Sequence, residues 1–284
     1  MKQLVSTISK IALLGLIANC GVEAGNPDSS EEKPAKFSLK LTETQTTGLN
    51  HFYMDIKSIT IGNNSTIELD ETTTIDILTL ENGKTATVVD QLNLTSGELQ
   101  QIVIELADTD QPVRAVSSDN VEQKVVVLSD EQKTDSLLFT GSITLSPNQD
   151  VTAIVDVDLR YTLSGLDENR RNQLGVNSDV VYALNHQHTF FQEDSRATVN
   201  FSGKTSGELL CITETGSYTA SNLPQSCIPN GGNILKGVYA DSEGNAVVIS
   251  IPPGIYDIWG IMEGKVTKYN QTIEMNGGDI ITID

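Results

Sequence analysis

The chain has 284 residues, 38% hydrophobic and 20% charged, enough for one large domain or two ordinary ones that each bury a core. Its 22 Gly and frequent Thr, Ser, Asn and Asp suit short strands joined by turns, and exclude collagen, a coiled coil and a polytopic membrane protein. A formal net charge of −20 argues against nucleic acid as a partner, because such binding draws its affinity from Lys and Arg neutralising phosphates.

The first element in the chain is an address. Lys2 and Lys10 flank and precede an apolar run at residues 11–18, shorter than the roughly 20 residues a bilayer span needs, as in a secretory signal. Ile17-Ala18-Asn19-Cys20 resembles the lipobox of bacterial lipoproteins. That resemblance implies a signal peptide over 1–19, cleavage before Cys20 and a palmitate-type lipid on its thiol, so that the membrane becomes a partner through the N-terminus. Asn19 departs from the small residue usual there, and the other reading is a signal cut near Ala24 that frees a soluble product. Gly21, in place of the Asp that often retains such lipoproteins at the inner membrane, points to the outer membrane. Residues 20–36 carry Gly, Pro and polar residues with no apolar period, the composition of a flexible tether.

The body reads as strands. Phe37-Ser38-Leu39-Lys40-Leu41 alternates apolar and polar, as do parts of 52–61, 66–69 and 74–80, and period two means one face inward. Residues 102–106, 124–128, 137–140 and 151–159 continue the series at about ten-residue intervals, a spacing that suits a sandwich. Asp167 can cap a short helix over 168–174 with Gly175 past its end. A linker containing that helix is expected over 166–195. A second strand set follows at 197–201, 208–213, 235–239, 246–251, 254–262, 265–275 and 279–283. The fold class expected is all-β, two antiparallel sandwiches of immunoglobulin-like or prealbumin-like type.

Two family resemblances sit on this pattern. Residues 37–165 resemble the domain-of-unknown-function family 4382 through Phe37-Ser38-Leu39-Lys40-Leu41-Thr42, Asp55-Ile56-Lys57-Ser58-Ile59, residues 75–83, Leu94-Thr95-Ser96-Gly97-Glu98-Leu99-Gln100-Gln101-Ile102 and the Asp-bearing strand 154–159. Thr42-Glu43 stands for the family's Thr-Asp, and Leu99 and Val103 for its Tyr and Arg. The likeness implies an extracytoplasmic β-sandwich of no established activity. Residues 196–284 are similar to carboxypeptidase-regulatory-like, or prealbumin-like, domains through the turn at 241–245 and Ile251-Pro252-Pro253-Gly254-Ile255-Tyr256.

Candidate chemistry is sparse. With Cys20 carrying lipid, Cys211 and Cys227 remain in an oxidising compartment and read as one disulfide; a pair of metal thiolates is the alternative, without a Cys-x-x-Cys spacing or a nearby His. His186 and His188 have a spacing able to grip a transition metal, set against a plain solvated joint. Asp156 and Asp158 alternate with aliphatic residues, either as calcium ligands or, more simply, as the charged face of an edge strand. His51 lies at an expected loop edge and no Gly-x-Ser-x-Gly elbow accompanies it. Trp259, the one Trp in the chain, falls in an alternating strand and is expected in the core rather than on a sugar platform. No catalytic residue and no cofactor is expected. The function expected is a lipid-anchored envelope module that binds or spaces a protein or glycan. The rivals are a calcium- or carbohydrate-dependent adhesin and, behind it, a secreted hydrolase.

Overall fold

The computed structural model describes residues 33–43, 48–62, 65–227 and 234–284. The signal segment, Cys20 and most of the tether lie outside the described residues. The tether ends earlier than expected, because Ala35, fully buried, already begins the first strand.

The larger region runs in chain order through β1 (Ala35–Thr42), β2 (Leu49–Ile61), β3 (Ser65–Asp76), a 3-10 turn (Ile77–Leu80), β4 (Ala86–Leu94), β5 (Gly97–Leu106), β6 (Val113–Ser117) and β7 (Glu122–Ser129). It continues with β8 (Gln132–Lys133), β9 (Ser136–Leu145), β10 (Asp150–Asp156), α1 (Leu159–Thr162), β11 (Leu163–Gly165), α2 (Glu168–Leu174), β12 (Val180–Asn185) and β13 (Gln187–Gln192). Among the described residues these strands form one sheet in the order β11-β12-β7-β6-β2-β5-β9-β13-β10-β1-β4, with β3 on β2 and β8 on β7. β2 pairs with β6 over its first half and with β5 over its second. A register shift between Ile56 and Ser58 divides the halves, an irregularity that bends a strand and lets a sheet turn a corner. Leu184 of β12, Ile102 of β5 and Leu39 of β1 consequently meet in one buried cluster although they lie far apart in the strand order.

The smaller region holds β14 (Ala197–Phe201), β15 (Leu209–Glu214), β16 (Ile234–Tyr239), β17 (Ala246–Ile251), β18 (Gly254–Met262), β19 (Lys265–Met275) and β20 (Ile280–Ile283). These match the expected second strand set to within one residue at each end. They form a sheet β17-β14-β20 and a sheet β16-β15-β18-β19, with Val199, Leu210, Val248, Ile258 and Ile283 among the residues packed between them. β15 shows why its sequence is apolar almost throughout. Successive side chains point to opposite faces, so Leu210 and Ile212 enter that core while Leu209 and Cys211 enter a second cluster with Leu223, Cys227, Trp259 and Ile261.

Four departures from the sequence pattern have physical reasons. Residues 166–195 are not a linker: α2 is present, capped by Asp167 accepting from the Arg170 N–H at 2.8 Å and ended by Gly175 at φ 61°, but β12 and β13 then enter the large sheet, pairing in parallel with β7 and β9. Strands covered on both faces carry apolar runs such as Val180 to Leu184 instead of alternation. Residues 77–80 form a 3-10 turn rather than a strand. Three residues per turn puts Ile77 and Leu80 on one side, and both are buried. The class is all-β, yet β1–β10, β7–β12, β9–β13 and β14–β20 run parallel. Finally, β10 is not an edge strand, since β13 and β1 flank it.

Candidate functional site

The parallel pairing of β1 with β10 sets Thr42 opposite Asp156, so the residues following each strand emerge at the same end of the sheet. Val157 N–H donates to the Thr42 carbonyl at 3.1 Å, and Leu159 N–H donates to Glu43 Oε2 at 3.4 Å. Glu43, Asp156 and Asp158 are thereby gathered at one point. From the smaller region β16 delivers Lys236, whose Nζ donates to Asp156 Oδ2 and, at 3.1 Å, to Asp158 Oδ2. Ser250 Oγ, in β17, donates to Asp156 Oδ2 at 3.1 Å. The four charged residues thus join the two regions of the fold.

Burial decides how these groups are charged. Glu43 is 3% exposed, and desolvation, reinforced by Asp158 and Asp156, holds its carboxyl well above the usual carboxylate range. Desolvation also raises Asp156, against the pull of Lys236. For Lys236 burial alone favours the neutral amine, but the two aspartates outweigh it and the net shift is upward. Arg160, from α1, lies 5.4 Å over the Tyr239 ring and donates to the Ser226 carbonyl, while desolvation lowers its pKa. Three carboxyl groups thus share this dry junction with the Lys236 amine and the Arg160 guanidinium, and the upward shift of Glu43 lessens the surplus of negative charge there. Gly237 has a direct reason here: a Cβ would lie 2.7 Å from Arg160 Nη1 and 2.8 Å from Cys227 Sγ. Glu43 Oε1, Asp156 Oδ1, Asp158 Oδ1 and Arg160 Nη1 have no hydrogen-bond partner among the described residues.

The other expected residues fall elsewhere. Asp156 and Asp158 do not form a solvent face: Asp156 is 6% exposed, Asp158 has left the strand to start α1, and the Oδ2 atoms of both accept from Lys236. His186 and His188 are not a solvated joint either. His186 is held between the Leu128 carbonyl at 3.2 Å and Ser129 Oγ at 3.1 Å, whereas His188 stacks on Phe139 with ring centroids 5.1 Å apart. Burial pushes the His188 imidazole down to about 4. His51 lies inside β2, its Nδ1 2.7 Å from Asp76 Oδ2 and its ring stacked on Tyr53. Cys211 and Cys227 form the disulfide, with Cα atoms 5.9 Å apart. Trp259 is 2% exposed beneath the segment that this disulfide fastens, and its Nε1–H donates to Thr213 Oγ1 at 2.9 Å. No pattern along the chain marks Lys236, and Glu43 stood out only as the residue in place of the family's Asp.

Two open grooves mark the surface of the described residues. One, about 470 Å³, is lined by Glu208, Lys265 and Tyr269, and Tyr269 donates its hydroxyl hydrogen to Glu208 at 2.7 Å. The other, about 420 Å³, lies between Gln192, Arg196 and Asp279.

No curated protein matches the chain. Solved structures similar to it include the Bacillus anthracis TIE protein, at 10% identity over 92% of this chain and 75% of that one, with a TM-score of 0.23. The minor pilin GBS52 of Streptococcus agalactiae is similar at 10% identity over 87% and 93%, TM-score 0.21. The major pilin subunit BcpA of Bacillus cereus is similar at 9% identity over 88% and 69%, TM-score 0.21. Residues 34–174, β1 through α2, match the family described as domain of unknown function (DUF4382).

Proposed function

We propose that the protein is a bacterial lipoprotein, anchored at the outer membrane through an acylated Cys20, whose two β regions serve as a non-enzymatic module that binds or spaces a protein or glycan. One observation carries the non-enzymatic part: Asp156, Asp158 and Lys236, with side chains only 6%, 18% and 12% exposed, are directed at one another across the junction of the two regions. Groups engaged in this way hold a fold together and are closed to a substrate. The anchor rests on Lys2, Lys10, the apolar run and Ile17-Ala18-Asn19-Cys20. The smaller region is read as a carboxypeptidase-regulatory-like accessory domain on its strand set and its Pro252-Pro253-Gly254 return.

Growth with labelled palmitate, comparing wild type with Cys20→Ser, tests the anchor. Wild type is expected to carry label in the outer-membrane fraction and Cys20→Ser to carry none; an unlabelled wild type removes the anchor. Esterase, protease and glycosidase panels on the same preparation test the module, and turnover abolished by a single substitution overturns it.

A further inference from the structure

The junction cluster has the composition and placement of a self-condensing site. An amine nitrogen lies against a carboxylate, Lys236 Nζ on Asp156 Oδ2, with both side chains nearly excluded from water at 12% and 6% exposure. A second carboxyl group, Glu43, is buried beside them with Oε1 unpartnered among the described residues. The remaining oxygen of the electrophile, Asp156 Oδ1, is also buried without a partner. From this geometry we infer that Lys236 and Asp156 condense within the folded chain to an amide that covalently joins β16 to β10, with Glu43 relaying the proton.

The chemistry needs nothing from outside. In a water-excluded site the ammonium–carboxylate pair can exchange its proton to give amine and carboxylic acid at no change in net charge. The Lys236 nitrogen then attacks Asp156 Cγ, forming the Nζ–Cγ bond. Glu43, buried beside the pair with its carboxyl held above the usual carboxylate range, gives a proton to the departing oxygen and recovers one from the nitrogen, the two-way relay of a general acid–base group. The Cγ–O bond breaks and one water leaves. One ammonium and one carboxylate thus become one amide and one water, with charge and atoms balanced and no oxidant involved. Holding the reacting atoms in contact supplies the proximity that makes a slow bimolecular condensation feasible. Asp158 Oδ2 also receives a hydrogen bond from Nζ, at the longer distance of 3.1 Å, and it is the more exposed of the two aspartates at 18% against 6%. The structure therefore assigns the bond to Asp156. The inference does not depend on the membrane anchor.

Tryptic mapping of the full chain by tandem mass spectrometry is the test. Wild type is expected to give a branched species joining the Asp156 peptide to the Lys236 peptide, lighter than their sum by one water and uncleaved after Lys236. Lys236→Arg is expected to give only linear peptides. Glu43→Gln, which leaves both reacting residues in place, is expected to lose most of the branched species while the Cys211–Cys227 disulfide persists as proof of folding. Linear peptides with cleavage after Lys236 in wild type overturn the inference, as does a branch mapped to Asp158. Undiminished branching in Glu43→Gln overturns the relay.

Discussion

The two regions solve the same problem at different sizes. The larger wraps one sheet around a single cluster that includes Phe37, Phe52 and Phe139, all fully buried, and the described residues place no disulfide within it. The smaller has a little over half as many residues, and its sheet β16-β15-β18-β19 is apolar on both faces, one against the core and one against the cluster around Trp259. Small domains bury a smaller share of their surface and commonly need a staple. Here Cys211–Cys227 fastens the covering segment over that second face. The difference teaches that the disulfide stands in for a third layer of secondary structure, which the larger region obtains by curling its own sheet.

The largest effect that sharpens this contrast is expected in the larger core. Phe37→Ala should cost about 3–5 kcal/mol by loss of buried area and the cavity left behind, read as faster amide exchange in β1, β4 and β10 under increasing urea. Fluorescence of Trp259, which reports on the smaller region alone, should shift less; coincident shifts in both probes would make the two regions one cooperative unit. Opening the disulfide with Cys211→Ser and Cys227→Ser together should reverse the pattern, costing roughly 3 kcal/mol for a loop of this length and moving the Trp259 transition first. The smallest effect is a pH dependence in β13. The His188 pKa is depressed in the fold from 6.5 to about 4, so its contribution is fully present above pH 6.5 and is lost as pH falls toward 4. By about pH 5 the loss is roughly 2 kcal/mol, and His188→Gln should flatten that part of the stability profile.

How much of this was legible in the sequence follows from how local each feature is. The short helix was readable because Asp167 and Gly175 act on their immediate neighbours. Most strands of the smaller region were readable because they alternate about polar turns, and the pairing of Cys211 with Cys227 followed from the expectation that Cys20 carries lipid. β12 was missed because its apolar run Val180 to Leu184 does not alternate, and β13 because its opening residues, Gln187-His188-Thr189, are all polar although His188 is buried. Asp156 was misread because period two separates the faces of a strand without revealing what covers them. An aspartate facing water and an aspartate facing Lys236 from another sheet look alike in Val155-Asp156-Val157. Glu43, Asp156 and Lys236 meet only after the two regions pack, so no window along the chain contains their relation.

The side-by-side alignment of Phe37 with Val151 and of Val155 with Phe190 has a consequence for biosynthesis. The opening strand emerges first from the ribosome, yet β10 and β13, which complete its side of the sheet, emerge only after most of the nascent chain has been made. Contacts so distant in sequence form slowly. The opening strand therefore waits for partners made much later, and its side of the sheet closes after the rest of the larger region has been synthesised.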